Sequence, residues 1–298
     1  MSDSRSVAVL GLGAMGHAFA ANLLKAGFNV TVWNRSPDKA KDLVENGARF
    51  AESPADAVGQ VNAVITMLPN IEVTRDVLLG DGGALAAMPA GATLIQMGTL
   101  GVAEIDQLIT EANKARDDVV FIDAPVSGTK APAEQGEVEI LASGDRDRAD
   151  DVVGPIFDVL GKKTHWLGQA GQGMRMKIVI NAWLISMMQG IAETAQLADS
   201  VGFSTDEVWQ VLEGGPLACP YMKLKLDMIG SGNFDPQMAL QWGAKDAGLA
   251  LEAGNLEALP TLKQTREQWD EAVEAGHGDQ DIASIYAYLG RKGGGSAS

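Results

Sequence analysis

Residues 7–16 read Val-Ala-Val-Leu-Gly-Leu-Gly-Ala-Met-Gly, an apolar run that leads directly into three glycines spaced as GxGxxG. The apolar run is typical of a buried strand, and the residues after it continue with the apolar spacing of a helix face. In this context the first glycine permits a tight turn, the second lets the backbone approach a pyrophosphate, and the third lets helix and strand pack closely. The alternative is a tight glycine turn that binds nothing. We expect a dinucleotide cradle formed by Gly11, Leu12, Gly13, Ala14, Met15 and Gly16.

The second strand-like run indicates which dinucleotide is expected. Sites for NAD usually place a carboxylate about 20 residues after the glycines, whereas sites for NADP place an arginine near the 2′-phosphate. Here the run ends Val32-Trp33-Asn34-Arg35-Ser36, with no carboxylate at its tip. Arg35 is suited to pair with the phosphate, and Asn34 and Ser36 are suited to donate hydrogen bonds, so NADP(H) is the expected cofactor. The alternative for Arg35 is a solvated turn residue.

The pattern along the chain changes near its middle. Short β-branched runs alternate with helical patterns from Val7 to about Leu167, as in βαβ units on a parallel sheet. After Gly173 the segments have helix length and include no convincing strand. The sequence predicts an α/β fold: a Rossmann parallel-sheet domain (1–167), an all-α domain for substrate binding and dimerisation (168–292), and a flexible Gly/Ser tail (293–298). The strand-like runs are 7–10, 29–33, 63–67, 93–97, 119–122 and 139–142.

Charge and composition exclude several classes of partner. The 23 Lys and Arg against 39 Asp and Glu give a formal net charge of −16, which would repel a phosphate backbone, so no nucleic acid is expected. An anionic ligand then requires a local cluster of cations. The single cysteine, Cys219, excludes an intrachain disulfide, and the dispersed histidines offer no metal spacing, so no metal is expected.

The sequence also predicts where the protein resides. Its first residues lack the basic-then-apolar pattern of a signal peptide. The longest uncharged stretch, 178–192, is shorter than the roughly 20 residues that span a bilayer. We therefore expect a cytoplasmic protein with no membrane partner.

A second candidate site lies on a predicted helix that follows the glycine-rich segment 168–173. Lys177 and Asn181 are four residues apart and therefore project from one face of that helix. Their neighbours are mostly apolar, and such surroundings disfavour an ammonium ion and suit a lysine to proton transfer. The alternative is a lysine that extends its charged end to solvent along an apolar stem.

Five motifs, in order, resemble those of the β-hydroxyacid dehydrogenases: Gly11–Gly16, Met67-Leu68-Pro69-Asn70, the run Asp-Ala-Pro-Val-Ser-Gly-Thr at 123–129, the pair Lys177 and Asn181, and Lys245-Asp246. The resemblance covers nearly the whole chain and implies a fold like that of 6-phosphogluconate dehydrogenase. It implies that Lys177 is the catalytic general acid and that Asn181 fixes the reacting oxygen. It also implies cofactor contacts from Met67, Leu68, Pro69, Thr99 and Lys245, and substrate contacts from Ser127, Gly128, Thr129, Lys177, Asn181 and Trp242.

Within that family, residues 123–134 and 157–163 look most like the plant and bacterial glyoxylate/succinic semialdehyde reductases, which have a small polar residue at the position of Thr129. The implied reaction is NADPH-dependent reduction of a small aldehyde or keto acid to the hydroxy acid. Two departures stand out. Gln96-Met97-Gly98-Thr99 replaces the usual Asp-Met-Ser-Thr, and the residues before Lys245 are less polar than is common. The second departure lies in the expected substrate pocket, so the substrate stays open.

Other functions and assemblies remain compatible with these motifs. The alternatives are an imine reductase-like enzyme on the same fold, a 3-hydroxyisobutyrate dehydrogenase, and a non-catalytic cofactor-binding module such as the dehydrogenase-like domain of some chromatin factors. Resemblance to the first and last usually accompanies loss of the lysine, whereas this chain retains Lys177. The apolar helix predicted from Met176 to Leu197 carries more apolar surface than a small helical domain hides, so we expect a homodimer or homotetramer.

Overall fold

The computed structural model describes residues 5–292, and the predicted Gly/Ser tail at 293–298 lies outside them. The chain forms two compact units, with the division between Lys177 and Ile178. All strands of the described residues lie in the first unit. They are β1 (Ser6–Leu10), β2 (Asn29–Trp33), β3 (Arg49–Phe50), β4 (Ala63–Thr66), β5 (Thr93–Gln96), β6 (Val120–Asp123), β7 (Val126–Ser127), β8 (Val138–Gly144) and β9 (Gly161–Trp166).

The sheet confirms the predicted Rossmann topology. Parallel strands follow one another in the order β3-β2-β1-β4-β5-β6. The order reverses at β1, and open α/β sheets bind ligands beyond the carboxyl ends of the strands at such a switch point. The remaining strands depart from a wholly parallel sheet: β8 runs antiparallel to β6 and β7, and β9 runs parallel to β8. Between β6 and β8 the chain has only β7 and a five-residue helix, instead of the long helix that usually carries a parallel crossover.

Strand β1 shows why the parallel strands are continuously apolar and do not alternate apolar with polar residues. Val7 and Val9 join the hydrophobic core on one face of the sheet, and Ala8 and Leu10 join the core on the other. All four are fully buried because helices cover both faces of a parallel sheet. The helices of the first unit are α1 (Ala14–Lys25), α2 (Lys41–Glu45), α3 (Pro54–Val58), α4 (Ile71–Leu79), α5 (Ala84–Ala87), α6 (Val102–Ala115), α7 (Lys130–Glu134) and α8 (Arg146–Leu160).

Helix α9 (Gln172–Ser200) begins in the first unit and continues into the second. It carries both Lys177 and Asn181. Among the described helices it is the one long and apolar enough to cross a membrane by length and composition, a criterion that core helices also meet. Of the most apolar 18-residue stretch of this helix, 44% is buried.

The second unit is helical, as predicted. In its described part the extended pairing is a single isolated bridge between Ala239 and Asp281. Gly243 permits the close packing of two of these helices, since a Cβ there would lie 2.4 Å from the buried ring of Trp269. The helices are α10 (Thr205–Leu212), α11 (Pro220–Ser231), α12 (Leu240–Ala253), α13 (Pro260–Ala272) and α14 (Ile285–Lys292).

A buried ion pair joins two segments of the second unit. Lys225 on α11 places its Nζ 2.6 Å from Asp281 Oδ1, and both side chains are fully buried. The second carboxylate oxygen of Asp281 accepts backbone hydrogen bonds from Gln237 and Met238. These two residues come just before α12, so the pair fixes the approach of the chain to that helix.

Candidate active site

The three glycines of the fingerprint occupy different environments. Gly11 has a φ of +101°, a conformation that favours glycine. A Cβ on Gly16 would lie 2.0 Å from the Gly11 carbonyl oxygen, so this glycine allows α1 to pack against the turn. A Cβ on Gly13 would meet no protein atom within 4 Å, and Gly13 is exposed. Packing therefore accounts for Gly11 and Gly16, whereas Gly13 borders open space.

The open space before α1 suits a dinucleotide pyrophosphate. Gly13 is the N-cap residue of α1, and the first helical hydrogen bond runs from the His17 N–H to the Gly13 carbonyl. The amides at the start of the helix precede that ladder and present their N–H groups with the positive end of the helix dipole. The residues present therefore fit a bound nucleotide.

The turn after β2 is tied to the glycine fingerprint. The Leu12 N–H donates to Asn34 Oδ1 at 2.9 Å, and Asn34 Nδ2 donates to the Ser36 carbonyl at 3.0 Å. Asn34 thus uses its carboxamide to shape this turn. Arg35 and Ser36 are exposed, and so is Lys39 on the next turn, a cation that the sequence reasoning missed. The turn supplies local positive charge on a strongly acidic chain.

The other predicted cofactor residues follow neighbouring strands at the same edge of the sheet. Met67, Leu68 and Pro69 follow β4, and Thr99 lies beyond β5. These two loops approach closely, because a Cβ on Gly98 would lie 2.6 Å from the Leu68 carbonyl oxygen. Since parallel strands end together, these loops lie at the same edge as the glycine fingerprint.

Gln96, where the sequence departs from the family pattern, is fully buried. It accepts a hydrogen bond from the Thr66 hydroxyl at 2.7 Å and donates to the Gly98 carbonyl at 2.7 Å. The amide therefore joins the ends of β4 and β5. A neutral side chain here both donates and accepts without burying a charge.

The run at 123–129 divides into a buried and an accessible part. Asp123 is fully buried at the end of β6, whereas Gly128 is exposed and Ser127 and Thr129 are half-buried. Gly128 has a φ of +141°, and a Cβ there would lie 3.1 Å from the Val138 side chain. The accessible residues Ser127, Gly128 and Thr129 form a turn and are among the residues predicted to contact the substrate.

Asp123 contacts the start of α9. Its Oδ2 accepts hydrogen bonds from the Met174 N–H at 2.8 Å and from the Ser143 hydroxyl at 3.1 Å. The same hydroxyl oxygen accepts from the Gly173 N–H at 2.9 Å. Burial raises the pKa of the Asp123 carboxyl to about 7, and the hydrogen bonds from Met174 and Ser143 oppose that rise.

The predicted catalytic pair lies on α9. Lys177 is half-buried, and Asn181 is buried, with 1% of its surface exposed. In the second unit, Asn181 Nδ2 donates to Asp246 Oδ2 at 2.6 Å. Lys245 Nζ lies 3.7 Å from the other oxygen of Asp246 and 5.9 Å from the centre of the Trp242 ring. Asp246 therefore bridges the amide of Asn181 and the ammonium of Lys245.

Besides Lys39, the structure draws attention to Asp246, Asp123 and Ser143. Asp246 belongs to the Lys245-Asp246 motif, and it also binds Asn181. Asp123 belongs to the motif at 123–129, and no sequence pattern indicates its contact with the start of α9. Ser143, at the end of β8, was not singled out, because a lone serine in a strand carries no sequence signal.

Comparison with known proteins agrees with this geometry. A model for the NAD binding domain of 6-phosphogluconate dehydrogenase matches residues 6–168, and one for the NAD-binding of NADP-dependent 3-hydroxyisobutyrate dehydrogenase matches residues 171–289. The fold and cradle thus define an NAD(P)-dependent oxidoreductase. The chain belongs to the β-hydroxyacid dehydrogenase family, as the sequence motifs predicted.

Individual relatives support that membership. Glyoxylate/succinic semialdehyde reductase 1 of Arabidopsis thaliana is 38% identical over 281 residues, which cover 94% of this chain and 96% of that protein. Cytokine-like nuclear factor N-PAC of Homo sapiens is 32% identical, and the match covers 96% of this chain and 52% of that longer protein. The structure of Mycobacterium tuberculosis 3-hydroxyisobutyrate dehydrogenase with L-serine has a TM-score of 0.84 at 26% identity, covering 96% of this chain and 99% of that chain.

Proposed function

We propose that this protein is an NADPH-dependent reductase of small aldehydes or keto acids, with glyoxylate and succinic semialdehyde as substrates and Lys177 as the general acid. The observation that carries the proposal is the hydrogen bond between Asn181 and the buried carboxylate of Asp246. Asn181 lies four residues after Lys177 on α9. This bond holds an amide beside the proton donor. The name of the Arabidopsis relative, which matches this chain over nearly its full length, supports the choice of substrates.

The first unit would hold the cofactor. The N–H groups at the start of α1 would bind the pyrophosphate, and Arg35 and Ser36 would bind the 2′-phosphate. Met67, Leu68, Pro69 and Thr99 line the same sheet edge. The bound cofactor supplies a hydride to the substrate carbonyl carbon.

Lys177 and Asn181 would deal with the charge that this transfer creates on the carbonyl oxygen. The ammonium of Lys177 delivers a proton to that oxygen, which yields the hydroxyl group and leaves a neutral amine to be reprotonated by solvent. Asn181 uses its amide to orient the oxygen, and Asp246 keeps the amide in place. Lys177 is half-buried, so part of its side chain remains accessible.

The substrate carboxylate would bind at the turn Ser127-Gly128-Thr129. The turn offers hydroxyl groups and backbone amides, and Gly128 removes the side chain that would hinder close approach. In the second unit, Lys245 adds a positive charge beside Trp242. This cation supplies local positive charge on a chain whose net charge is −16.

The proposal is tested by NADPH oxidation with glyoxylate, succinic semialdehyde and a cyclic imine in parallel, for wild type, Lys177→Ala and Lys177→Arg. We expect turnover of both aldehydes by wild type and a loss of roughly 10² to 10⁴-fold in Lys177→Ala, the range for a positioned general acid. Lys177→Arg restores little because a guanidinium holds its proton too firmly. NADPH affinity, measured by fluorescence, should stay within about threefold, since that change is below one charge-assisted contact.

Lys162→Ala provides a matched control, because Lys162 lies on the edge strand β9 with 58% of its side chain exposed. Its turnover should stay within about twofold of wild type. Turnover of Lys177→Ala close to that of wild type would disprove the role of the lysine. Faster turnover of the imine than of either aldehyde would disprove the substrate class.

A further inference from the structure

Helix α9 begins against two buried polar side chains of the sheet. Asp123 is the last residue of β6, and Ser143 is next to last in β8. Both side chains are fully buried. They accept hydrogen bonds from two successive backbone N–H groups of the first turn of α9, those of Met174 and Gly173. Such N–H groups have no partner within their own helix, so side chains of distant strands act here as helix caps.

Close packing reinforces this contact. A Cβ on Gly173 would lie 2.1 Å from the Leu141 carbonyl oxygen and 3.0 Å from that of Asp123. The helix start therefore touches β8 and β6 at backbone distance. The sulfur of the fully buried Met174 also accepts a hydrogen bond from the Leu100 N–H at 3.3 Å. The first turn of α9 is thus held by the sheet and by the loop after β5.

Lys177 lies three residues after Met174, on the next turn of the same helix. A helix rises 1.5 Å per residue, so the lysine is roughly 4.5 Å along the axis from the capped N–H group. A displacement of the first turn is transmitted to the lysine because consecutive turns are joined by hydrogen bonds. In catalysis, an error of about 1 Å in the position of a reacting group costs up to about 100-fold in rate.

We propose that Asp123, together with Ser143, is a positioning residue that fixes the first turn of α9 and so places the amine of Lys177 for proton transfer. This inference rests on the proposed role of Lys177 as general acid. Because the side chains of Asp123 and Ser143 are fully buried, we assign them an action through the helix and not a contact with substrate or cofactor. Because Asp246 holds Asn181 separately, most of their effect on turnover should disappear when Lys177 is absent.

The test is a double-mutant cycle on kcat for glyoxylate reduction, with Asp123→Ala, Lys177→Ala and the double variant. Asp123→Ala should reduce kcat by roughly 10 to 100-fold in the presence of Lys177. In the Lys177→Ala background it should change kcat by no more than about twofold. NADPH affinity should change by no more than about threefold, and Asp123→Asn, which keeps an oxygen acceptor, should recover most of the turnover.

Controls separate positioning from loss of fold. Asp145→Ala removes a carboxylate that caps α8 through the Arg148 N–H, and it should leave kcat within about twofold of wild type. If Asp123→Ala does not fold, Ser143→Ala replaces it in the cycle, because Ser143 holds the adjacent N–H group. An equal loss of kcat in both lysine backgrounds, or no loss in either, overturns the positioning role. If the single variant Lys177→Ala keeps the turnover of wild type, both the proposed function and the positioning role are overturned.

Discussion

Asn181 and Asp246 are 65 residues apart in sequence, and their side chains meet in a 2.6 Å hydrogen bond that is buried from solvent. Asp246→Ala would leave the Asn181 amide buried with this acceptor gone, which costs about 1 to 3 kcal/mol in the free energy of unfolding. We also expect kcat to fall by about tenfold or more, because the amide loses its fixed orientation. Urea unfolding and steady-state kinetics measure both effects.

Asp270→Ala is the matched control for that variant. Asp270 pairs with Arg266 one turn away on α13, and 44% of its side chain is exposed. A surface pair of this kind contributes about 0.5 kcal/mol or less. Equal destabilisation by the two variants would contradict the importance assigned to Asp246.

The fingerprint glycines should respond differently to alanine. Gly16→Ala places a Cβ 2.0 Å from the Gly11 carbonyl oxygen, so we expect a lower melting temperature as well as weaker cofactor binding. Gly13→Ala meets no protein atom within 4 Å, so the apo protein should melt within a few degrees of wild type. Its NADPH affinity should nevertheless fall by about tenfold or more, since the methyl group occupies the approach of the pyrophosphate. Unchanged affinity in Gly13→Ala would show that the cofactor does not use this turn.

The cofactor preference should depend on Arg35. We expect kcat/KM to favour NADPH over NADH by at least about tenfold, the scale of one charge-assisted contact. Arg35→Ala should remove most of that preference by weakening NADPH binding alone. Lys114→Ala, which removes the same charge from the last turn of α6, should leave the ratio unchanged. A wild-type protein that uses NADH as well as NADPH would contradict the assignment.

The stability of the fold should depend on the charge state of Asp123. Burial raises the pKa of its carboxyl from 3.8 to about 7. Hydrogen bonds from the Met174 backbone, the Ser143 hydroxyl and the Gly171 backbone, and the charge of Arg175, lower the pKa and partly offset that rise. Between these values the folded protein retains a proton that the unfolded chain has released, so the stability from this group falls as the pH rises through that window.

The comparison with Asp123→Asn isolates this effect. The free energy of unfolding of wild type minus that of the variant should decrease from about pH 4 to about pH 7 and then level off. Urea titrations across the pH range measure it. A difference that stays constant, or that grows with pH, would show that the carboxyl is ionised throughout.

The exposed apolar residues of α9 predict self-association. Val179, Trp183 and Leu197 each have 65% of their surface exposed. Large apolar side chains repeated along one helix usually mark an interface between subunits. We expect a dimer or tetramer by light scattering at micromolar concentration, and Trp183→Glu should shift it toward the monomer. A wild-type monomer under these conditions would disprove the prediction.

Local sequence patterns predicted most of the fold because the features involved are local. The β1 fingerprint and the apolar runs of the parallel strands are visible within a few residues. Strand β9 was missed because its residues Gly161–Trp166 carry charges and lie half-exposed at the edge, where β8 is their one neighbour among the described strands. The two-residue strands β3 and β7 are too short to show a period.

Site residues that are close in sequence could be predicted, whereas contacts between residues distant in sequence could not. Lys177 and Asn181 share a helix face, so their spacing and the family motif placed them together. The contacts of Asp123 with Met174, and of Asn181 with Asp246, join residues 51 and 65 positions apart. Such pairs depend on tertiary packing, and no residue-level pattern in one chain encodes them.

The buried pair Lys225 and Asp281 determines how far this chain can be shortened. The residues assigned to chemistry end at Asp246, yet Asp281 neutralises a fully buried ammonium and accepts the N–H groups of Gln237 and Met238 ahead of α12. A premature stop codon or a proteolytic cut before Asp281 would strand that charge in an apolar interior, at a cost of several kcal/mol. The C-terminal segment is therefore indispensable to any minimal active fragment, although it contributes no reacting group.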